Sequence, residues 1–103
     1  MTTRNEVYAA IDTERTYQDT RWNSETTTSD GQHSLEEWLV YIEDYVSEAK
    51  HVLSRESRQT ADPKVREIIR KVAAMAVCAM EQHGAPKRVS ETDVSLDKKL
   101  AGA

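Results

Sequence analysis

A chain of 103 residues with 38% hydrophobic side chains allows one domain, small enough that surface shared with a second copy would relieve a marginal core. Three Gly, two Pro and no Phe exclude a turn-rich all-β protein, and the single Cys excludes a disulfide framework and fits a reducing cytoplasm. The net charge of −4 argues against non-specific nucleic-acid binding, but it is unevenly spread: residues 1–49 carry three Arg against eleven acids, and residues 50–71 seven Lys or Arg against three.

Near the N-terminus, Thr3 followed by Glu6 predicts a capping box, and Val7, Ala10, Ile11, Glu14 and Gln18 fall on one face of the helix it opens. Two polar side chains at core-facing positions mean either a shallow, frayed edge or a polar pocket. Trp22 closes this segment. The stretch that follows, NSETTTSDGQ, has no apolar residue, so 23–33 is expected to be a flexible loop.

Ser34 and Glu37 form a second capping box and open a strongly amphipathic helix reaching about Leu53. Leu35, Trp38, Leu39, Ile42, Tyr45, Val46, Ala49, Val52 and Leu53 keep a three-four rhythm. Along one edge runs a polar stripe, Glu37, Tyr41, Asp44, Glu48 and His51, which is either a solvated flank or a ligand-contacting row. Ser54–Ala61 reads as a polar connection short enough to make the two long helices antiparallel neighbours.

The densest apolar run lies in DPKVREIIRKVAAMAVCAMEQHG. Asp62 at the N-cap, Pro63 at the first helical position and Gly84 at the end predict its limits. Between Val72 and Met80 polarity disappears all round the helix, so it must be covered on every side, and nine residues are too few to cross a membrane. Two helices of one chain cannot cover it, which predicts a homo-oligomer. Cys78, inside the run, reads as a small buried hydrophobe. The N-terminus has no apolar leader, so a cytoplasmic protein is expected, with a helical domain over 1–86 and a polar, disordered tail over 87–103.

Three stretches together resemble the MazG-like branch of the all-α nucleotide pyrophosphohydrolase superfamily: ERTYQDTRW at Glu14–Trp22, EWLVYIEDYVSEA at Glu37–Ala49 and REIIRKVAAMAVCAMEQHG at Arg66–Gly84. The resemblance implies an all-α helical bundle completed by homo-oligomerisation, and an acidic pocket that holds Mg²⁺ while water attacks between the α and β phosphates of a nucleoside triphosphate. The sequence departs from the family pattern at the chemistry. Tyr45 takes the place of one carboxylate beside Asp44 and Glu48, and Ile68 and Lys71 stand where Glu67 should have acidic companions.

The resulting expectation is a MazG-like scaffold without hydrolysis or metal, binding a nucleotide or nucleotide-derived signal between subunits, in the setting of a phage protein that sequesters a host signal. The candidate ligand-binding residues are Glu14, Gln18, Trp38, Tyr41, Asp44, Tyr45, Glu48, Glu67, Arg70 and Lys71. Lys and Arg can neutralise phosphate directly, with Trp38 or Tyr45 stacking on a base. Two alternatives stand beside it. One is a divergent pyrophosphohydrolase holding Mg²⁺ on Asp44, Glu48 and Glu67, with Glu14 assisting; the other is a helical protein-interaction module.

Overall fold

The computed structural model describes residues 1–22 and 31–88, and among these every regular element is helical. The order is α1 (Arg4–Arg21), α2 (Leu35–Arg55) and α3 (Arg58–His83). Residues 23–30 and 89–103, which hold most of the expected loop and tail, lie outside the described residues. No described helix is long and apolar enough to cross a membrane.

The cap chemistry sets the helix starts. At α2 the box is complete: Glu37 N–H donates to Ser34 Oγ at 3.1 Å and Ser34 N–H donates to the Glu37 carboxylate at 2.9 Å. These donors hold the Glu37 carboxyl below its ordinary range, so the cap's contribution is full above that range and fades as pH falls through the depressed value. At α1 only half the predicted box forms. Thr3 Oγ1 accepts from Glu6 N–H, but its hydroxyl also donates to the Glu6 carboxylate, which therefore does not reach back to the Thr3 backbone.

The start of α3 corrects the sequence reading. The helix begins a turn earlier than Asp62, with Ser57 at the N-cap, and Asp62 is an in-helix partner of Arg58 at 3.1 Å. Burial explains the shift: Ala61 has no exposed surface, so tertiary packing draws that turn into the helix. Pro63 is tolerated because the bond it cannot donate would go to the carbonyl of Gln59, near the helix start and exposed to water. Gly84 ends the helix at φ 99°, as expected.

Only Glu56 and Ser57 separate α2 from α3, and the two helices are antiparallel: Trp38 near the start of α2 meets Gln82 near the end of α3, while Tyr45 lies against Lys71. Both α1 and α2 pack on α3, and they do not pack on each other. The core between α2 and α3 is small, Trp38, Met75 and Cys78 ringed by Trp22, Ile42, Tyr45 and Ala79. Cys78 is buried as expected, and desolvation pushes its thiol up against the opposing field of Arg15.

Gln82 is the node that joins these parts. Its Oε1 accepts from Trp38 Nε1 at 2.9 Å and from His33 N–H at 3.1 Å, and its Nε2 donates to Gly31 O at 2.8 Å. Gly31 to His33, expected to be the end of a flexible loop, are thus tied to α3. A Gln82→Met variant strands three polar groups and should lose about 1–3 kcal/mol in urea unfolding, whereas Gln82→Glu, which keeps both accepted bonds, should lose less.

Candidate ligand-binding cleft

Because α1 and α2 straddle α3 without touching, a cleft opens between them, and α3 supplies its floor through Lys71 and Met75. It has two lobes that share Trp22, Tyr45 and Met75. The first, about 370 Å³, is aromatic: Trp22, His33, Trp38, Tyr41 and Tyr45 line it with Asp44 at its edge. The second, about 240 Å³, is polar and is lined by Glu14, Tyr17, Gln18, Arg21 and Lys71 besides the shared residues.

The aromatic lobe is assembled by short-range packing. His33 precedes the Ser34 cap and its ring stands edge-on to Trp38 at 5.0 Å and to Tyr41 at 5.0 Å, a staple between the residue before the cap and the first turns of α2. Trp22, just beyond α1, reaches Trp38 with ring centroids 5.8 Å apart. Gly31 fits against it only because it is glycine: at φ +75° a Cβ would lie 2.9 Å from Trp22 O.

The polar lobe settles the choice left open for α1. Glu14 and Gln18 are 8% and 4% exposed, so they belong to a buried polar site and not to a frayed edge. The Glu14 carboxylate accepts from Arg70 Nε at 2.9 Å. Gln18 Nε2 donates to Lys71 O at 3.4 Å, and Gln18 Oε1 is buried with no hydrogen-bond partner among the described residues. Turning the amide round would set two acceptors against each other at Lys71 O, so the orphan is the oxygen. Among the described residues Lys71 Nζ forms no ion pair, and it stands 6.0 Å from the Tyr45 ring centroid, at the outer limit of a cation–π contact. Below the cleft Arg15 bridges Asp19 at 2.6 Å and Glu81 at 2.9 Å; burial works against its charge, but the two carboxylates outweigh it and hold the guanidinium firmly protonated.

Of the ten expected ligand-binding residues, Glu14, Gln18, Trp38, Tyr41, Asp44, Tyr45 and Lys71 line this cleft. Trp38 is 2% exposed with its Nε1 committed to Gln82, which makes it a wall of the site and leaves Tyr45 as the better stacking surface. Arg70 is engaged by Glu14 and lines the groove on the far side of α1, where Glu67 also lies; Glu48 is exposed and lines neither lobe. The three carboxylates named for Mg²⁺ are therefore dispersed. Among the described residues no three His, Cys, Asp or Glu side chains gather as a metal site, so the residues present do not fit the ion.

Tyr17, Arg21, Trp22 and His33 belong to the cleft and were missed from the sequence. The staple position before the Ser34 cap was a legible signal for His33. Nothing in the spacing marked the turn that swings Trp22 towards Trp38.

No protein-family model, curated protein or solved structure matches this chain.

The Glu14–Arg70 pair is testable as a pair. Arg70→Met should cost about 1–2 kcal/mol in urea unfolding, since it leaves a buried carboxylate uncompensated, and adding Glu14→Gln should recover part of the loss.

Proposed function

We propose that the cleft binds a small phosphate-bearing aromatic ligand, a nucleotide or nucleotide-derived signal, without a divalent ion and without hydrolysing it. The observation that carries this reading is Gln18 Oε1, a buried acceptor with no partner among the described residues, in the polar lobe that adjoins the aromatic one. An unmade hydrogen bond at such a place costs about 1–3 kcal/mol, which a ligand hydroxyl or amine can recover. The two lobes together fall within the usual size of a small-molecule site. A base would enter between Tyr41 and Tyr45, a sugar hydroxyl or exocyclic amine would donate to Gln18, and Lys71 would meet phosphate.

Two details of the expectation change. The cleft is formed by one chain, so the ligand need not lie between subunits, and Arg70 holds Glu14 instead of reaching for phosphate. Membership of the MazG-like family and a phage role in sequestering a host signal rest on the three resembling stretches. Hydrolysis is disfavoured by the dispersion of Asp44, Glu48 and Glu67.

Calorimetry in EDTA against linear and cyclic nucleotides tests the reading, together with mass spectrometry of small molecules released from the purified protein. Binding should weaken with salt and fall at least tenfold in Lys71→Glu. Gln18→Leu should bind at least tenfold less tightly while unfolding no earlier than the parent, because it replaces an unsatisfied amide by an apolar side chain. Failure of every nucleotide to bind a folded protein would overturn the proposal, and steady pyrophosphate release with Mg²⁺ would restore the hydrolase.

A further inference from the structure

On the side of the molecule away from the cleft, α2 and α3 present bare apolar seams. On α2, Leu35, Leu39, Ile42, Val46, Ala49 and Leu53 follow one another at spacings of four, three, four, three and four, the rhythm of a helix-packing seam. Leu39 is 66% exposed, and Leu35, Val46 and Leu53 are exposed as well. At 100° per residue these positions stand roughly opposite Tyr41 and Asp44, which open into the cleft. On α3, Ile69, Val72, Ala76 and Met80 continue the surface, with Ile69 60% exposed. Within the Val72–Met80 run a single chain leaves Met80 exposed and Val72 and Ala76 only half-buried. Contiguous apolar surface beyond a few hundred Å² is unusual on a monomer.

The edge of the α2 seam identifies what covers it. Among the described residues Glu43 and Lys50 have no hydrogen-bond or ion-pair partner, and they stand three residues before and four residues after Val46. Leu39 and Leu53 are each seven residues from Val46. A pattern balanced in this way about one residue is complementary to itself when turned end for end, which is the requirement of a two-fold interface.

We propose that this face is the dimer interface, with α2 packed antiparallel on α2 of a second copy and Val46 on the two-fold axis. Leu39 of each copy then meets the other copy's Leu53, and Glu43 meets the other copy's Lys50. A parallel pairing would instead leave the Glu43 and Lys50 of the two copies on opposite flanks of the seam, where they cannot pair. The same axis suits α3. Tyr45 lies against Lys71, so Val46 is level with the Ile69–Val72 turn, and the rotation brings Ile69 of one copy to Val72 of the other. The two hairpins close into a four-helix bundle, for which a standard interface buries roughly 800 Å² per partner. The cleft stays open on the outer side, so this inference stands independently of the ligand.

Sedimentation of the full chain should give twice the 11.7 kDa mass at low micromolar concentration. Val46→Asp should weaken the dimer at least a hundredfold. Glu43→Lys and Lys50→Glu should each weaken it about three- to tenfold, and the double exchange should restore it to within about twofold of the parent. Val46→Cys should form a disulfide-linked dimer on mild oxidation, since a residue on the axis faces itself within bridging range. A parent chain that is monomeric and folded at ~100 µM overturns the interface. A dimer unaffected by Val46→Asp overturns the face. Charge variants that do not compensate, in a dimer that Val46→Cys fails to cross-link, overturn the antiparallel arrangement, and these two measurements decide it even if Val46→Asp does not fold.

Discussion

Everything in this fold depends on α3 being the only surface that α1 and α2 share. Two helices that pack on a third without touching each other leave a cleft on one side of it and a bare face on the other. The cleft gathers polar groups that a closed bundle would have excluded, Glu14 and Gln18 among them. The other face keeps apolar side chains exposed, Leu39 and Ile69 among them. Cleft and apolar face are thus two results of one packing arrangement, and each uses a different side of the same helices.

The residues that hold this arrangement are few. Trp38, Met75 and Cys78 make the buried core, and a hydrogen-bonded glutamine, Gln82, fastens the start of α2 and the turn before it to the end of α3. Polar anchoring of this kind fixes register where apolar area alone is too small to do so. On the other flank, Arg15 between Asp19 and Glu81, and Glu14 with Arg70, set the position of α1.

Much of this was legible in the sequence because it is local. Helical periodicity, the Ser34–Glu37 box and Gly84 gave the helices and two of their ends, and Glu14 and Gln18 on an otherwise apolar face left two readings, a frayed edge or a polar pocket, between which their burial decides. What was not legible was tertiary. Asp62 and Pro63 imitate a helix start that the burial of Ala61 overrides. Arg70 and Lys71 are adjacent in the chain, but consecutive helical residues point about 100° apart, so one goes to Glu14 and the other to the cleft. The stripe from Glu37 to His51 divides in the same way: Tyr41 and Asp44 enter the aromatic lobe, whereas Glu48 does not.

The contact between Gly31 and Trp22 has a topological consequence. Trp22 and Gly31 lie against each other although nine positions apart in the chain, and Gly31 is fixed in turn by Gln82. Two fixed points that touch close a loop, and lengthening a loop adds closure entropy only logarithmically. Evolution, or an engineer, can therefore add residues between Trp22 and Gly31 at a small entropic cost to the helices that meet there.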